Sequence, residues 1–253
     1  MSKTIFITGA SSGFGAGIAK RFAAEGFRVI INGRRAERLA ALKKELEENY
    51  AAEVYVAVFD VRDKKAVNAC IAALPENWRT IDILVNNAGL AAGLSTIQEG
   101  DTDDWDTMID TNIKGLLYVT RAISPMMISR GSGHIFNIGS IAGKYVYPNG
   151  NVYCGTKFAV NALSESMRID MLAHGIKVTA IHPGAAETEF SLVRFKGDVA
   201  RAGKVYEGFT PLSAEDIADT VFYCANLPAH YCINDLVITP LTQANSHYSR
   251  KNG

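Results

Sequence analysis

The sequence predicts an α/β protein, a single domain spanning 1-253 on a doubly wound parallel sheet. Short β-branched runs alternate with longer helical stretches, the signature of successive βαβ units. Most of those runs are almost continuously apolar, as strands must be when helices cover both faces of a sheet. The 253 residues contain no Pro- or Ser-rich linker and no repeat of solenoid length, so one core is the simplest parse.

The elements follow in order. The first strand, Thr4 to Thr8, runs into a glycine-rich turn and a helix near Gly15 to Glu25. Val29 to Asn32 is the second strand, followed by a helix over Arg35 to Asn49. Val54 to Phe59 leads to a helix at Lys64 to Ala73, and Ile83 to Asn86 leads to a long helical stretch from Thr102 to Ser129. His134 to Ile138 precedes the helix Asn151 to His174, and Lys177 to His182 precedes Ala214 to Ala225. Leu236 to Thr239 closes the sheet. Between Gly184 and Gly208 glycine, charge and aromatics mix without a clean period, which reads as a loop.

Composition excludes several classes. Hydrophobic residues make up 48% of the chain, and 26 basic against 26 acidic residues leave no net charge, which argues against a polyanion-binding surface. Positive charge concentrates in nothing longer than short pairs such as Arg34-Arg35 and Lys43-Lys44, so no nucleic acid partner is expected. The N-terminus, Met1-Ser-Lys-Thr-Ile-Phe-Ile-Thr-Gly9, lacks a signal-peptide core, and no apolar stretch approaches the ~20 residues of a membrane span. A cytoplasmic protein without a membrane partner is the expectation. Cys70, Cys154, Cys224 and Cys232 form no C-x-x-C and read as free thiols. His134, His174, His182, His230 and His247 show no ligand spacing, so no metal site is expected.

Three features carry chemistry. Tyr153 and Lys157 stand four apart, on one face of a helix. A phenol has a reference pKa of about 10, and a neighbouring ammonium favours its ionised form, so the pair suits proton transfer. Thr8-Gly-Ala-Ser-Ser-Gly-Phe-Gly15 follows the first strand and opens the first helix. Glycine permits positive φ and close approach of a pyrophosphate, while the helix N-terminus offers free N–H groups and a favourable dipole. Its spacing, G-x-x-x-G-x-G, departs from G-x-G-x-x-G. At the end of the second strand Gly33 stands where an acid would bind a ribose hydroxyl, and Arg34 and Arg35 follow. Guanidinium donors match a 2′-phosphate, which favours NADP(H) over NAD(H).

With Asp60-Val61, Asn86-Asn-Ala-Gly89, Asn112, Ser140 and Pro183-Gly184 added in order, the chain resembles a short-chain dehydrogenase/reductase of the classical type over nearly its whole length. The resemblance implies a Rossmann fold that binds NADP(H) through Gly9, Ser11, Ser12, Gly13, Phe14, Gly15, Arg34, Arg35, Asp60, Val61, Asn87, Ala88, Gly89, Tyr153, Lys157, Pro183, Gly184 and Thr188. It implies that Tyr153 passes the proton, Ser140 steadies the carbonyl oxygen, Lys157 lowers the Tyr153 pKa, and Asn112 holds a connecting water. For Ser140 an N-cap is the competing reading, and for Asn112 a locally bonded amide.

Within the family the likeness narrows to NADP-dependent 3-hydroxy acid dehydrogenases and the related isethionate-forming sulfoacetaldehyde reductases. Asp104-Trp-Asp-Thr-Met-Ile-Asp-Thr-Asn112, Val193-Arg-Phe-Lys-Gly-Asp198, Leu227-Pro-Ala-His230 and Pro240-Leu-Thr-Gln243 carry it. Both classes take small carbonyls or alcohols bearing an acidic group: sulfoacetaldehyde, or serine, allo-threonine and 3-hydroxypropionate. Substrate contacts are expected from Ser140, Tyr147 and Tyr153, from Arg194 as an anion clamp in a lid near 185-208, and from Gln243 and Tyr248 in a tail near 241-253. The stretch Ala185-Ala-Glu-Thr188-Glu-Phe190 is shorter than in 3-hydroxy acid dehydrogenases, which shifts weight to the sulfonate. A reductase of larger nonionic carbonyls (steroid, sugar or acyl) and a noncatalytic NADP-binding regulator are the alternatives. By the same resemblance, the long helical stretches form the interfaces of a homotetramer.

Overall fold

The computed structural model describes residues 2–250; the last three residues of the predicted tail, 251–253, lie outside the described residues. Seven parallel strands form one sheet: β1 Thr4–Ile7, β2 Arg28–Gly33, β3 Val54–Val58, β4 Ile83–Asn86, β5 Gly133–Ile138, β6 Ile176–Pro183 and β7 Asp235–Ile238. Their order is β3-β2-β1-β4-β5-β6-β7, so the chain winds outward from β1 to one edge and then, from β4, to the other.

Strand alternation divides the core in two. Ile5 and Ile7 of β1 face one apolar cluster with α1 (Gly13–Ala24), α2 (Ala36–Tyr50) and α9 (Ala214–Ala225). Phe6, between them, faces the opposite cluster with α3 (Lys64–Ala72), α5 (Leu116–Arg130) and α6 (Asn151–Met171). Each such fully buried side chain contributes about 1.5–3 kcal/mol of transfer free energy, and both clusters need the helices in place to exist.

The predicted strands are all present, with ends shifted by at most a residue. The helical stretches need correction. The run predicted over Thr102 to Ser129 is interrupted: α4 covers Thr102–Ile109, a π turn covers Asp110–Gly115, and α5 follows. The helix predicted to His174 ends at Met171 in a short 3₁₀ turn, Leu172–His174, closed by Gly175 at φ 67°. The segment read as a loop carries two short helices, α7 (Phe190–Arg194) and α8 (Val199–Lys204). Asp198 caps α8 by accepting from the Arg201 N–H at 2.9 Å, an exchange that composition alone does not reveal.

Among the described residues no helix is long and apolar enough to cross a membrane.

Candidate active site

The sheet reverses direction between β1 and β4, and in a doubly wound sheet the crevice at that switch, beyond the C-terminal strand ends, takes the ligand. A cavity of about 530 Å³ opens there. The turn after β1 forms one wall. Gly9 has φ +66° and Gly13 φ +53°, and a Cβ on Gly9 would sit 2.9 Å from Ala88 Cα, so only glycine closes this corner. The turn is sutured to the end of β4: the Asn87 and Ala88 N–H groups donate to Thr8 Oγ1 at 2.9 and 3.0 Å, and Asn87 Nδ2 donates to the Thr8 carbonyl at 2.9 Å. Gly9, Ser11, Ser12, Gly13 and Phe14 line the cavity with Asn87, Ala88 and Gly89; Gly15 does not, because it lies inside α1, packed against Asn87 Nδ2. Ser12 caps α1 without using its side chain, leaving the first-turn N–H groups of that helix open to an anion.

At one end of the cavity, Arg34 and Arg35 follow β2. Arg34 is exposed, its Nη1 3.7 Å from Asp60 Oδ2. Asp60 is gripped by Arg62 (Nε to Oδ2 at 3.0 Å, Nη2 to Oδ2 at 2.7 Å). Burial raises the Asp60 carboxyl, and these bonds outweigh it to hold the group below its ordinary pKa. Arg35 donates from Nε and Nη2 to Ser11 Oγ at 3.2 and 2.9 Å and from Nη2 to Ser12 Oγ at 3.0 Å. Gly33 leaves room for Ser11, whose Cβ is 3.4 Å from where a Gly33 Cβ would stand. Val61 lines the same end.

Ser140, Tyr153 and Lys157 meet in the centre of the cavity. Tyr153 is in the first turn of α6 and Lys157 one turn on, both buried. Lys157 Nζ donates to the Ile138 carbonyl at 2.9 Å and lies 5.9 Å from the Tyr153 ring centre. Burial lowers its pKa to about 8. Tyr153 departs from the sequence expectation, because in these surroundings its pKa is raised. Burial dominates, with Tyr147 adding to it, while the Ser140 hydroxyl and the Arg194 charge act in the lowering direction without overcoming it. Ser140 is also the predicted cap, its Oγ accepting from the Ala142 N–H at 3.1 Å. Asn112 does not reach the cavity surface. From the π turn its Oδ1 accepts from the Leu90 N–H at 2.8 Å and its Nδ2 donates to the Leu90 carbonyl at 2.8 Å and to Thr156 Oγ1 at 3.0 Å, clamping the strand-end loop to α6.

The far end is roofed by the segment after Pro183 and Gly184, both of which line the cavity with Thr188. Phe190 packs on Tyr153 with ring centres 5.5 Å apart. Arg194 lies 5.6 Å from the Tyr153 ring centre and 5.4 Å from that of Tyr147, donating from Nη2 to Tyr147 Oη at 2.8 Å and from Nε to the Gly93 carbonyl at 3.3 Å. Tyr206 ties the roof together: its hydroxyl donates to the Ala186 carbonyl at 2.8 Å and meets Ser191 Oγ at 2.7 Å. Gln243 lines the cavity, but its Oε1 is occupied by the Ala185 N–H at 2.7 Å. Tyr248 must be corrected: it is 75% exposed and does not line the cavity. Asn245 Oδ1 accepts from the His247 and Tyr248 N–H groups, turning the tail outward, and Ser246 lines the cavity in its place.

Sequence reading missed three groups. Phe190 and Tyr206 had no period to reveal them. Glu189, another cavity-lining residue, pairs with Arg35 and Arg38 across more than 150 residues of chain.

A doubly wound sheet with a glycine turn at its switch point, opening on a buried Tyr-Lys-Ser cluster, defines a dinucleotide-binding oxidoreductase. The chain belongs to the short chain dehydrogenase family, whose model matches residues 3–197. It is 51% identical over 241 residues to the NADP-dependent 3-hydroxy acid dehydrogenase YdfG of Salmonella typhi, covering 95% of this chain and 96% of that one. It is 48% identical over 250 residues to sulfoacetaldehyde reductase 2 of Chromohalobacter salexigens, covering 98% of each. Among solved structures, the closed form of serine dehydrogenase complexed with NADP+ superposes with a TM-score of 0.93 at 46% identity, covering 99% of this chain and all of that one.

Proposed function

We propose that this chain is an NADP(H)-dependent oxidoreductase that interconverts a short aldehyde or ketone bearing an acidic group with its alcohol. The observation that carries the substrate class is Arg194, a cation fixed over the Tyr153 ring at the roofed end of the cavity. Its Nε and Nη2 are engaged by Gly93 and Tyr147, and among the described residues Nη1 has no hydrogen-bond partner. A guanidinium so held grips a carboxylate or sulfonate and fixes the neighbouring carbonyl.

The residues present fit the cofactor. The positive-φ glycines and open helix N-terminus suit a pyrophosphate, and Gly33 with Arg34 and Arg35 suits a 2′-phosphate rather than a free ribose hydroxyl. When bound, the cofactor would supply or accept the hydride at the reacting carbon. Tyr153 gives its phenolic proton to the carbonyl oxygen, and Ser140 adds a second hydrogen bond as charge develops there. A raised phenol pKa keeps Tyr153 protonated near neutrality, the form that reduction needs. Lys157, 5.9 Å from the Tyr153 ring centre, would bind the nicotinamide ribose hydroxyls, and Asn112 holds the Leu90 loop against the site. Segment 185-208 serves as the lid and 241-253 as the tail that latches its base through Gln243. We also place the protein in the cytoplasm as a homotetramer; sedimentation as a monomer at working concentration would contradict the latter.

The relatives named above act on 3-hydroxy acids or sulfoacetaldehyde, and the acidic group is common to both. The short stretch Ala185 to Phe190 favours the sulfonate. NADPH-linked assays with sulfoacetaldehyde, malonic semialdehyde, allo-threonine, serine and an uncharged short aldehyde, each with wild type and Arg194→Ala, test the reading. The variant should raise KM about 10- to 100-fold for the acidic compounds, the scale of a lost charge-assisted bond, and leave the uncharged aldehyde unaffected. Equal effects on both groups would favour a larger nonionic carbonyl instead.

A further inference from the structure

Glu189 has no part in the chemistry just described, yet it stands where the two ends of the cavity meet. It immediately precedes α7, the short helix whose two ends carry Phe190 and Arg194 over Tyr153. Its carboxylate reaches back to the opposite wall. Arg35 Nη1 donates to Oε2 at 3.2 Å, and Arg38 Nη1 donates to Oε1 at 2.7 Å and to Oε2 at 2.9 Å. Burial pushes the Glu189 carboxyl up, and the bonds from Arg38 and Arg35 outweigh it and hold the group ionised.

Arg35 therefore serves two masters. One of its edges faces Ser11 and Ser12 of the glycine turn, and another faces the lid. We propose that Glu189 is an intramolecular counter-anion for the 2′-phosphate site: it competes with the cofactor's 2′-phosphate for Arg35 and thereby sets how strongly the chain prefers NADP(H). This rests on the NADP(H) reading above.

Two effects of opposite sign must be weighed. Glu189 could help by orienting Arg35, or hinder by placing a negative charge beside an incoming one. The orienting role is already filled, because the two serine hydroxyls take Nε and Nη2 without Glu189. Repulsion is the effect left, and a 2′-phosphate carries about −1.5 to −2 charges at pH 7. The cluster's stoichiometry agrees: Arg34, Arg35 and Arg38 against one carboxylate leave a cationic surplus near that charge, Asp60 being held chiefly by Arg62. Arg38 has a separate task. It is exposed and does not line the cavity, and it touches both oxygens of Glu189. When a phosphate draws Arg35 away, Arg38 retains the carboxylate, so the lid keeps its anchor while the cofactor is bound.

Calorimetric titration of the cofactor-free protein with 2′,5′-ADP, and with 5′-AMP as the probe lacking only the 2′-phosphate, tests this without any turnover. Wild type, Glu189→Gln, Arg38→Gln and the double variant are compared. Glu189→Gln should tighten 2′,5′-ADP roughly threefold to tenfold, the scale of a partly screened charge contact, and leave 5′-AMP within about twofold. Arg38→Gln should weaken 2′,5′-ADP, because Glu189 then has only Arg35, and the loss should shrink in the double variant. Unchanged or weaker 2′,5′-ADP binding in Glu189→Gln overturns the inference, as does equal tightening of both nucleotides. If wild type itself shows no preference for 2′,5′-ADP over 5′-AMP, the NADP(H) reading falls and this inference falls with it.

Discussion

The two ends of the cavity are built by different means. Around the glycine turn, the walls are the ends of β1, β2 and β4, locked by bonds that involve backbone groups on one or both sides and by the positive-φ Gly9 set against the Ala88 backbone. At the roofed end, the walls are the short helix α7, the stretch at Val205 and Tyr206 and a tail, held largely by side chains: Arg194 to Tyr147, Tyr206 to Ser191, Gln243 to the Ala185 N–H, Glu189 to two arginines. Geometry fixed by backbone tolerates little change and need not move. Geometry fixed by exchangeable side-chain contacts can open for a substrate and be retuned one residue at a time.

Substitutions at each end, and at the centre between them, should separate these modes. The largest effect falls at the centre. Tyr153→Phe should cut turnover by about 10³-fold, within the range of a lost general acid, while NADPH binding measured by fluorescence titration stays near wild type. Wild-type-like turnover would remove Tyr153 from the chemistry. Next comes Gly9→Ala, which forces a side chain into φ +66° and against Ala88. A loss of about 2–3 kcal/mol is expected, read as a fall in Tm of several degrees together with weaker cofactor binding. A variant with unchanged Tm would show that the glycine wall is looser than its contacts imply. The smallest effect belongs to the roof. Tyr206→Phe removes the bonds to Ala186 and Ser191, worth about 1 kcal/mol net, and should raise the substrate KM severalfold with Tm nearly unmoved. If instead Tm drops as far as for Gly9→Ala, the contrast between the two ends collapses.

The same contrast explains what the sequence revealed. Strands covered on both faces must be unbroken apolar runs, so Thr4 to Ile7 or Ile83 to Asn86 announce themselves, and the glycine turn follows from where the first strand stops. Tyr153 and Lys157 were legible because residues four apart share one helix face, and Ser140 was legible only through the family resemblance. The roof was not. Phe190, Tyr206 and Glu189 act through partners remote in sequence, and an acidic residue in a loop looks like any solvated charge until Arg35 and Arg38 arrive from the other wall. Tyr248 misled for the opposite reason: a tail sequence does not encode which way an asparagine-led turn will throw it. Nor could the pattern show that burial, more than the neighbouring ammonium, governs the Tyr153 phenol.

The π turn at Asp110–Gly115 has a consequence for how such a chain can change over generations. A wide turn accommodates one residue more than an α turn does, so deleting one of its residues other than Asn112 would give a more regular helix. It would also swing Asn112 off both Leu90 groups and off Thr156, unfastening α6 from the loop beside the site. Length itself is therefore constrained here by the clamp: a chain one residue shorter at this place keeps its hold on the Leu90 loop only if another contact takes over from Asn112.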